Sequence, residues 1–360
     1  VARVAVIGGG VVGAAVTHAL TRRGVAVVLL EGEDELALGA SGSNSGILHT
    51  GFDSPPRELE TALIRRSAEL RAEWTPAPVI RCGALLRPEG EEEKRTVAAL
   101  ARRARANRVA ATLHRDGTLE VPGEAVTDPV AWTLALAAGA RVRTGARVEA
   151  IRRDAEGLAL GLAGGDELRC EVAVNCAGLH ADEVARLAGD DSFEIYPRKG
   201  EFFVFDPPGG LPLERILLPV PSERTKGVLV FPTVDGKVAA GPTAHDQDDK
   251  FDWSVRPEAR DEVLAKAHRL LPPLEGAEPV ASYAGLRPAG RGVNYLIGPS
   301  RACPGLVNVA AIRSTGLSAS LGIGEHVCGL VAEQGVELGA APPWWRRTAL
   351  RRRETAWRTA

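Results

Sequence analysis

The sequence predicts a mixed α/β fold on three observations. The first thirty residues run through a buried strand, a glycine-rich turn, a helix and a second buried strand. Two later apolar runs, one ending at Cys176 and one spanning Leu306–Ala311, read as further buried strands. A third region, around residues 201–240, alternates apolar and polar residues and carries an Asp-Gly turn, the pattern of an antiparallel sheet.

Composition bounds what such a chain does. Its 360 residues are 25% charged and 45% hydrophobic, which excludes extended disorder, a collagen-like chain and a disulfide scaffold. A net charge of −2 gives no general reason to expect nucleic acid as a partner. No apolar run approaches the ~18 residues of a membrane span, and the first strand, Arg3–Ile7, has no leader pattern ahead of it, so the chain reads as cytoplasmic. Only six of the 44 basic residues are Lys, so an individual Arg carries little functional information and an individual Lys carries more. Met is absent. The five cysteines, Cys82, Cys170, Cys176, Cys303 and Cys328, form no C-x-x-C pair and no Cys/His cluster; they read as small buried residues, and no metal is expected.

The N-terminal unit is specific. Val4–Ile7 is the first strand, residues 11–22 the helix, and Val25–Leu30 the second strand. Between them stands Gly8-Gly9-Gly10-Val11-Val12-Gly13, a G-x-G-x-x-G. Gly8 permits the tight turn, Gly10 lets a pyrophosphate approach the backbone, and Gly13 lets the helix pack on the sheet. The helix N-terminus then faces the phosphates with its N–H groups and positive dipole end. Glu31 closes the second strand, where a carboxylate can hold a ribose hydroxyl pair and disfavours a 2′-phosphate. This unit alone leaves FAD and NAD open. The later segments favour a flavin: one strand runs into Cys176-Ala177-Gly178, and the other into Ile312–Ser318 and a helix to about Val331. A helix starting at Gly316 would set its dipole against the anionic reduced ring. Trp132–Gly139 reads as a crossover helix before a strand at Arg141, and it is short for the usual ~10–12 residues.

Five further segments carry a resemblance. Gly39-Ala40-Ser41-Gly42-Ser43-Asn44-Ser45-Gly46-Ile47-Leu48-His49-Thr50-Gly51-Phe52-Asp53 resembles the FAD-dependent glycerol-3-phosphate dehydrogenases and oxidases, within the D-amino-acid-oxidase-like flavoproteins. Tyr196–Phe202 resembles that family's PRKGEY strand, and Lys226–Thr233 with Gly241–Ala244 its KGVLVAPT and GPTA segments. Tyr283–Pro288 is similar to its GLRP, and Ile312–Leu317 to its IRSPGL with Thr315 in place of Pro.

The resemblance implies a Rossmann-like FAD-binding domain interleaved with an antiparallel-sheet substrate domain. The first would gather residues 1–75, 120–190 and 285–335, the second 76–119 and 191–284, leaving 336–360 as a basic tail. It implies FAD held without a covalent bond. The contacts at the nucleotide end would be Gly8, Gly10, Val11, Val12, Gly13, Glu31, Gly32, Val148, Cys176, Ala177 and Gly178. Those at the ring end would be Ser41, Asn44, Ser45, Gly46, Ile47, Arg287, Arg313, Ser314, Thr315, Gly316, Leu317 and Ser318.

Oxidation of a secondary alcohol needs a C–H placed over flavin N5, a base for the hydroxyl proton and a clamp for an anionic handle. His49 is the candidate base, since an imidazole suits proton acceptance near neutral pH. Arg287 and Lys226 are the candidate clamp, with Ser45 and Ser314 as assisting hydroxyls. Lys199 reads as structural and His18 as a packing or surface residue. The expected substrate is a small anionic hydroxy compound, most simply sn-glycerol 3-phosphate. L-2-hydroxyglutarate or another 2-hydroxy acid is the alternative, then an amino acid or amine. A non-catalytic flavin-binding protein would need a broken site, yet His49, Lys226, Arg287 and Ser314 are all present. The electron acceptor is O2 or a quinone. The tail, with Trp344, Trp345, Trp357 and six arginines, is a candidate contact with an anionic membrane, its rival reading being a terminal helix packed on the domain.

Overall fold

The computed structural model describes residues 3–221 and 227–340. Lys226 and residues 341–360, which hold the Trp and Arg residues of the basic tail, lie outside the described residues.

Two large sheets organise the chain. The first has six strands in the order Leu296–Pro299, Leu306–Ala310, Val172–Asn175, Val4–Ile7, Val27–Leu30, Arg141–Arg143. All its pairings are parallel except that of Leu296–Pro299. Because successive strand residues face opposite sides, Val4 and Val6 bury against helices while Ala5 and Ile7 bury on the other face. The helices are Val11–Arg22, Leu59–Glu73, Pro129–Ala137 and Gly316–Glu333. Opposite them lies a three-stranded antiparallel sheet, Val148–Asp154, Gly157–Leu162 and Glu167–Cys170, whose Ile151, Leu158 and Leu160 share a core with Ile7 and Leu30. Coverage on both faces explains why the parallel strands read as unbroken apolar runs.

The second sheet has nine strands, the longest of them Ile195–Phe205. That strand pairs antiparallel with Ala281–Gly290 over ten positions, setting Arg198 opposite Arg287 and Gly200 opposite Gly285. Its other edge meets Val238–Gly241 and His245–Asp246. The expected hairpin is present as Leu229–Pro232 against Val238–Gly241, turned at Asp235-Gly236 with Gly236 at φ +82°. Helix Ala259–Leu270 covers one face through Val263 and Ala267, packed with Phe203 and Phe205.

A small antiparallel sheet of Ile47–Leu48, Ala125–Thr127 and Val79–Ile80 completes the fold. It corrects one expectation. Helix Pro129–Ala137 is not a crossover within one sheet: it leaves strand Ala125–Thr127 of this small sheet and leads to Arg141–Arg143 of the six-stranded one. A link between two sheets needs no return over the same face, so nine residues suffice. Asp128 caps the helix, its Oδ1 accepting from the N–H groups of Val130 and Ala131. All five cysteines are buried and unbridged.

Candidate active site

The glycine turn is built as its spacing predicts. Gly8 sits at φ +107°, and a Cβ there would come within 2.4 Å of the Cys176 carbonyl oxygen. A Cβ on Gly13 would lie 1.9 Å from the Gly8 carbonyl oxygen, so only glycine lets this helix approach the strand. Gly10 precedes the helix in an extended conformation, and its missing Cβ faces only the Ser41 hydroxyl at 3.0 Å. That hydroxyl accepts from the Val11 N–H at 2.9 Å, while the N–H groups of Val12 and Gly13 belong to a first turn that has no intrahelical acceptor for them. Glu31 accepts the Gly9 N–H at Oε2 (2.6 Å) and the Glu33 N–H at Oε1 (3.0 Å). Gly32 lies beside Arg147, and Val148 is buried under the strands, in the core of Ile7 and Leu30.

Segment 41–50 touches elements of both large sheets, Ser41 at the Val11 N–H and Ser43 at the Gly285 strand. Asn44 Oδ1 accepts from the Gly46 N–H, and Ser45 Oγ from the Ile47 N–H at 3.4 Å, so both side chains stabilise their own turn. Gly46, at φ +77°, has no room for a Cβ, which would sit 2.4 Å from the Thr127 carbonyl oxygen. The register Ile47↔Val126, Leu48↔Ala125 then carries one step further and sets His49 beside Glu124. His49 Nδ1 lies 2.8 Å from Glu124 Oε2, and the imidazole side chain remains 25% exposed while that of Glu124 is 0% exposed. Glu124 Oε1 accepts the N–H and the hydroxyl of Thr50 at 2.7 and 2.8 Å. The His49 backbone is also pinned. Its N–H donates to Ser318 Oγ and its carbonyl accepts from Arg71, whose guanidinium also reaches the Ser318 carbonyl. Burial pushes the Arg71 guanidinium down to about 10, so it stays charged near neutral pH.

Neither Glu124 nor Arg71 belongs to a motif read from the sequence. Pro122-Gly123-Glu124 looks like an ordinary exposed turn, and only the cross-strand register reveals the carboxylate as buried.

Arg287 joins three of the resembling segments. Its Nε donates to the Arg198 carbonyl at 3.0 Å, and its Nη2 to the carbonyls of Lys199 and Thr243 at 2.9 and 2.8 Å. None of these bonds uses Nη1. The guanidinium lies over Gly200, where a Cβ would sit 2.9 Å from Nη2. Thr243 is itself fixed by donating to Glu201, a buried carboxylate paired with Arg256. Burial lowers Arg287 to about 10, helped by the charges of Arg198 and Arg313, so it too is cationic near neutral pH. Gly285, two residues earlier on the same strand face, approaches Ser43 so closely that a Cβ would meet its carbonyl and hydroxyl oxygens at 2.9 Å.

Other expected positions contribute differently from their motif. The Thr315 hydroxyl is committed to Tyr295 and Glu60, Leu317 is buried in the helix core, and the Ser318 hydroxyl also donates to the Ile47 carbonyl. These three side chains are therefore engaged within the protein. Arg313 and Ser314 are exposed, and Gly316 starts helix Gly316–Glu333 beside Val12 and Val11. Ala177 and Gly178 follow Asn175, whose Oδ1 accepts the Ala177 N–H. Lys199 is 1% exposed and bound to Asp252 and the Ser254 carbonyl, a structural role. No group of residues suited to hold a metal occurs among the described residues.

The sequence pattern of the DAO family, the FAD dependent oxidoreductases, matches residues 3–330. The chain belongs to this family. It is 28% identical to the glycerol 3-phosphate dehydrogenase of Caloramator mitchellensis, over 90% of this chain and 72% of that one. It is 29% identical to the mitochondrial L-2-hydroxyglutarate dehydrogenase of Bos taurus, over 67% of this chain and 60% of that one. Among solved structures it is similar to the FAD-bound L-alpha-glycerophosphate oxidase of Mycoplasma pneumoniae, with a TM-score of 0.87 and 25% identity over 95% of this chain and 97% of that one. The protein is an FAD-dependent oxidoreductase, and its residues fit the cofactor. The Gly8–Gly13 cradle excludes any Cβ that would block a pyrophosphate, Glu31 retains lone pairs for a ribose, and the buried Ser43 hydroxyl has no partner among the described residues.

Proposed function

We propose that this oxidoreductase acts on an anionic secondary alcohol, sn-glycerol 3-phosphate, and forms dihydroxyacetone phosphate. The observation that carries the reading is a pair of fixed groups: a partly exposed imidazole at His49 and a guanidinium at Arg287 held by three backbone carbonyls. His49 takes the hydroxyl proton at Nε2 as the carbinol C–H is broken. Arg287 holds the anionic handle, and a cation that needs no reorganisation loses little entropy on binding. FAD, when bound, supplies the two-electron acceptor, and O2 or a quinone reoxidises the enzyme. Lys226 is proposed as a second cation of the clamp, with Ser45 and Ser314 as assisting hydroxyls. The division into a cofactor domain and a substrate domain at residues 76, 120, 191 and 285 belongs to the same reading.

L-2-hydroxyglutarate is the second reading, supported by the bovine relative, since Arg287 would grip a carboxylate as readily as a phosphate. Anaerobic mixing with sn-glycerol 3-phosphate, L-2-hydroxyglutarate, glycerol and a panel of amino acids separates these. The expected result is bleaching of the flavin by glycerol 3-phosphate and little by glycerol. In His49→Ala that bleaching slows by about 10²–10⁴-fold with FAD retained. Bleaching by amino acids alone overturns the alcohol reading, and an unchanged rate in His49→Ala removes His49 as the base.

A further inference from the structure

We propose that Glu124 is the positioning residue that fixes the tautomer of His49, holding the proton on Nδ1 so that Nε2 accepts from the substrate. The inference rests on His49 as the base and adds a residue that no motif of the sequence marks.

The argument is one of donors and acceptors. Thr50 presents a backbone N–H to Glu124 Oε1 at 2.7 Å, and a backbone N–H can only donate. Oε1 is therefore an acceptor, and the Thr50 hydroxyl at 2.8 Å donates to it as well. The other oxygen of an ionised carboxylate also only accepts, so the 2.8 Å contact with His49 requires a hydrogen on Nδ1. In a neutral imidazole the remaining nitrogen then carries the lone pair. The ring has little freedom to escape, because its own backbone is tied to Ser318 and Arg71.

The same geometry explains why the position holds a carboxylate and not the isosteric amide. Glutamine would keep its carbonyl oxygen on the Thr50 N–H and so present its NH2 to His49. Nδ1 would then have to accept, the ring proton would move to Nε2, and the base would become a donor. Burying an acid costs desolvation, which its fully enclosed side chain bears with the Arg71 guanidinium as a charged neighbour. A purely structural role would be met more cheaply by a neutral side chain.

The test is direct. In ¹⁵N-histidine-labelled holoenzyme, with the His49 signal identified among seven histidines by its loss in His49→Gln, long-range ¹H–¹⁵N spectra at the alkaline end of the activity profile report which nitrogen is protonated. The expected wild-type state has the proton on Nδ1, and Glu124→Gln moves it to Nε2. In that variant FAD content stays at wild-type level, the substrate Kd changes by less than about threefold, and the limiting rate of flavin reduction falls by about 10²–10⁴-fold. The reductant is sn-glycerol 3-phosphate, or L-2-hydroxyglutarate if only that reduces the wild type. A wild-type proton on Nε2 overturns the proposal without any variant, so it stays testable even if Glu124→Gln fails to fold. A slow His49→Ala beside a fast Glu124→Gln overturns it while leaving His49 as the base. A fast His49→Ala overturns the base reading itself.

Discussion

Gly13 in the parallel sheet and Gly200 in the antiparallel sheet both stand where a side chain is forbidden, but what fills the space differs. At Gly13 the neighbour is the backbone carbonyl of Gly8, which cannot move without dismantling the turn. At Gly200 the neighbours are side-chain atoms, Pro242 Cβ at 2.8 Å and Arg287 Nη2 at 2.9 Å. The first glycine makes the fold possible and the second makes room for a charge. One region is thus specified by contacts between residues a few positions apart. The other is assembled from three segments that lie 44 to 89 residues apart, Arg198–Lys199, Thr243 and Arg287.

Substitution should separate the two regions. Gly13→Ala forces a Cβ onto immovable backbone, so the purified protein should be colourless or insoluble; recovery of a yellow protein with one FAD per chain would erase the contrast. A second difference lies in acid sensitivity. His18, on the first helix, stacks parallel on Trp74 at 4.9 Å, and burial, aided by Arg22, pushes its ring down to about 4. The unfolded chain takes up that proton near pH ~6.5, so the stability contributed by the neutral ring is complete above that pH and is lost as pH falls toward 4. At pH 4.5 the loss should be about 2–3 kcal/mol, visible as a urea-midpoint difference that His18→Gln flattens. The substrate side should respond more gently. Arg287→Ala should raise the Kd for glycerol 3-phosphate by about ten- to a hundredfold, a charge-assisted bond being worth about 1.5–3 kcal/mol. Gly200→Ala, which only displaces the guanidinium, should raise it by about tenfold or less, both variants keeping their FAD. Loss of FAD from Gly200→Ala would show that the two glycines do the same work after all.

The same contrast explains what could be read in the sequence. Helix Val11–Arg22 and strand Val4–Ile7 have the bounds that their pattern predicts, because apolar period and glycine turn are local signals. The hairpin near Asp235-Gly236 was legible for the same reason. Glu124 was not, since its partner is selected by the pairing of Leu48 with Ala125 across a sheet of two- and three-residue strands. Thr315 and Ser318 show the converse: they flank the start of a glycine-led helix, yet their hydroxyls bond Glu60 and Tyr295, or the backbone of Ile47 and His49. A motif identifies a neighbourhood, and only packing tells which atoms face the ligand.

The order of strands in the six-stranded sheet has a consequence for synthesis. Val4–Ile7 precedes its neighbour Val172–Asn175 by more than 160 residues, and Leu306–Ala310, the next strand on that side, comes later still. Helix Gly316–Glu333, the last among the described residues, packs on Val11–Arg22. Until Val172–Asn175 is made, that side of Val4–Ile7 is an open, apolar sheet edge, the kind of surface that chaperones hold and that pairs wrongly when left alone. The glycine turn after Val4–Ile7 meets the Cys176 carbonyl, and the helix that follows it meets Gly316–Glu333, only when these distant segments have come together.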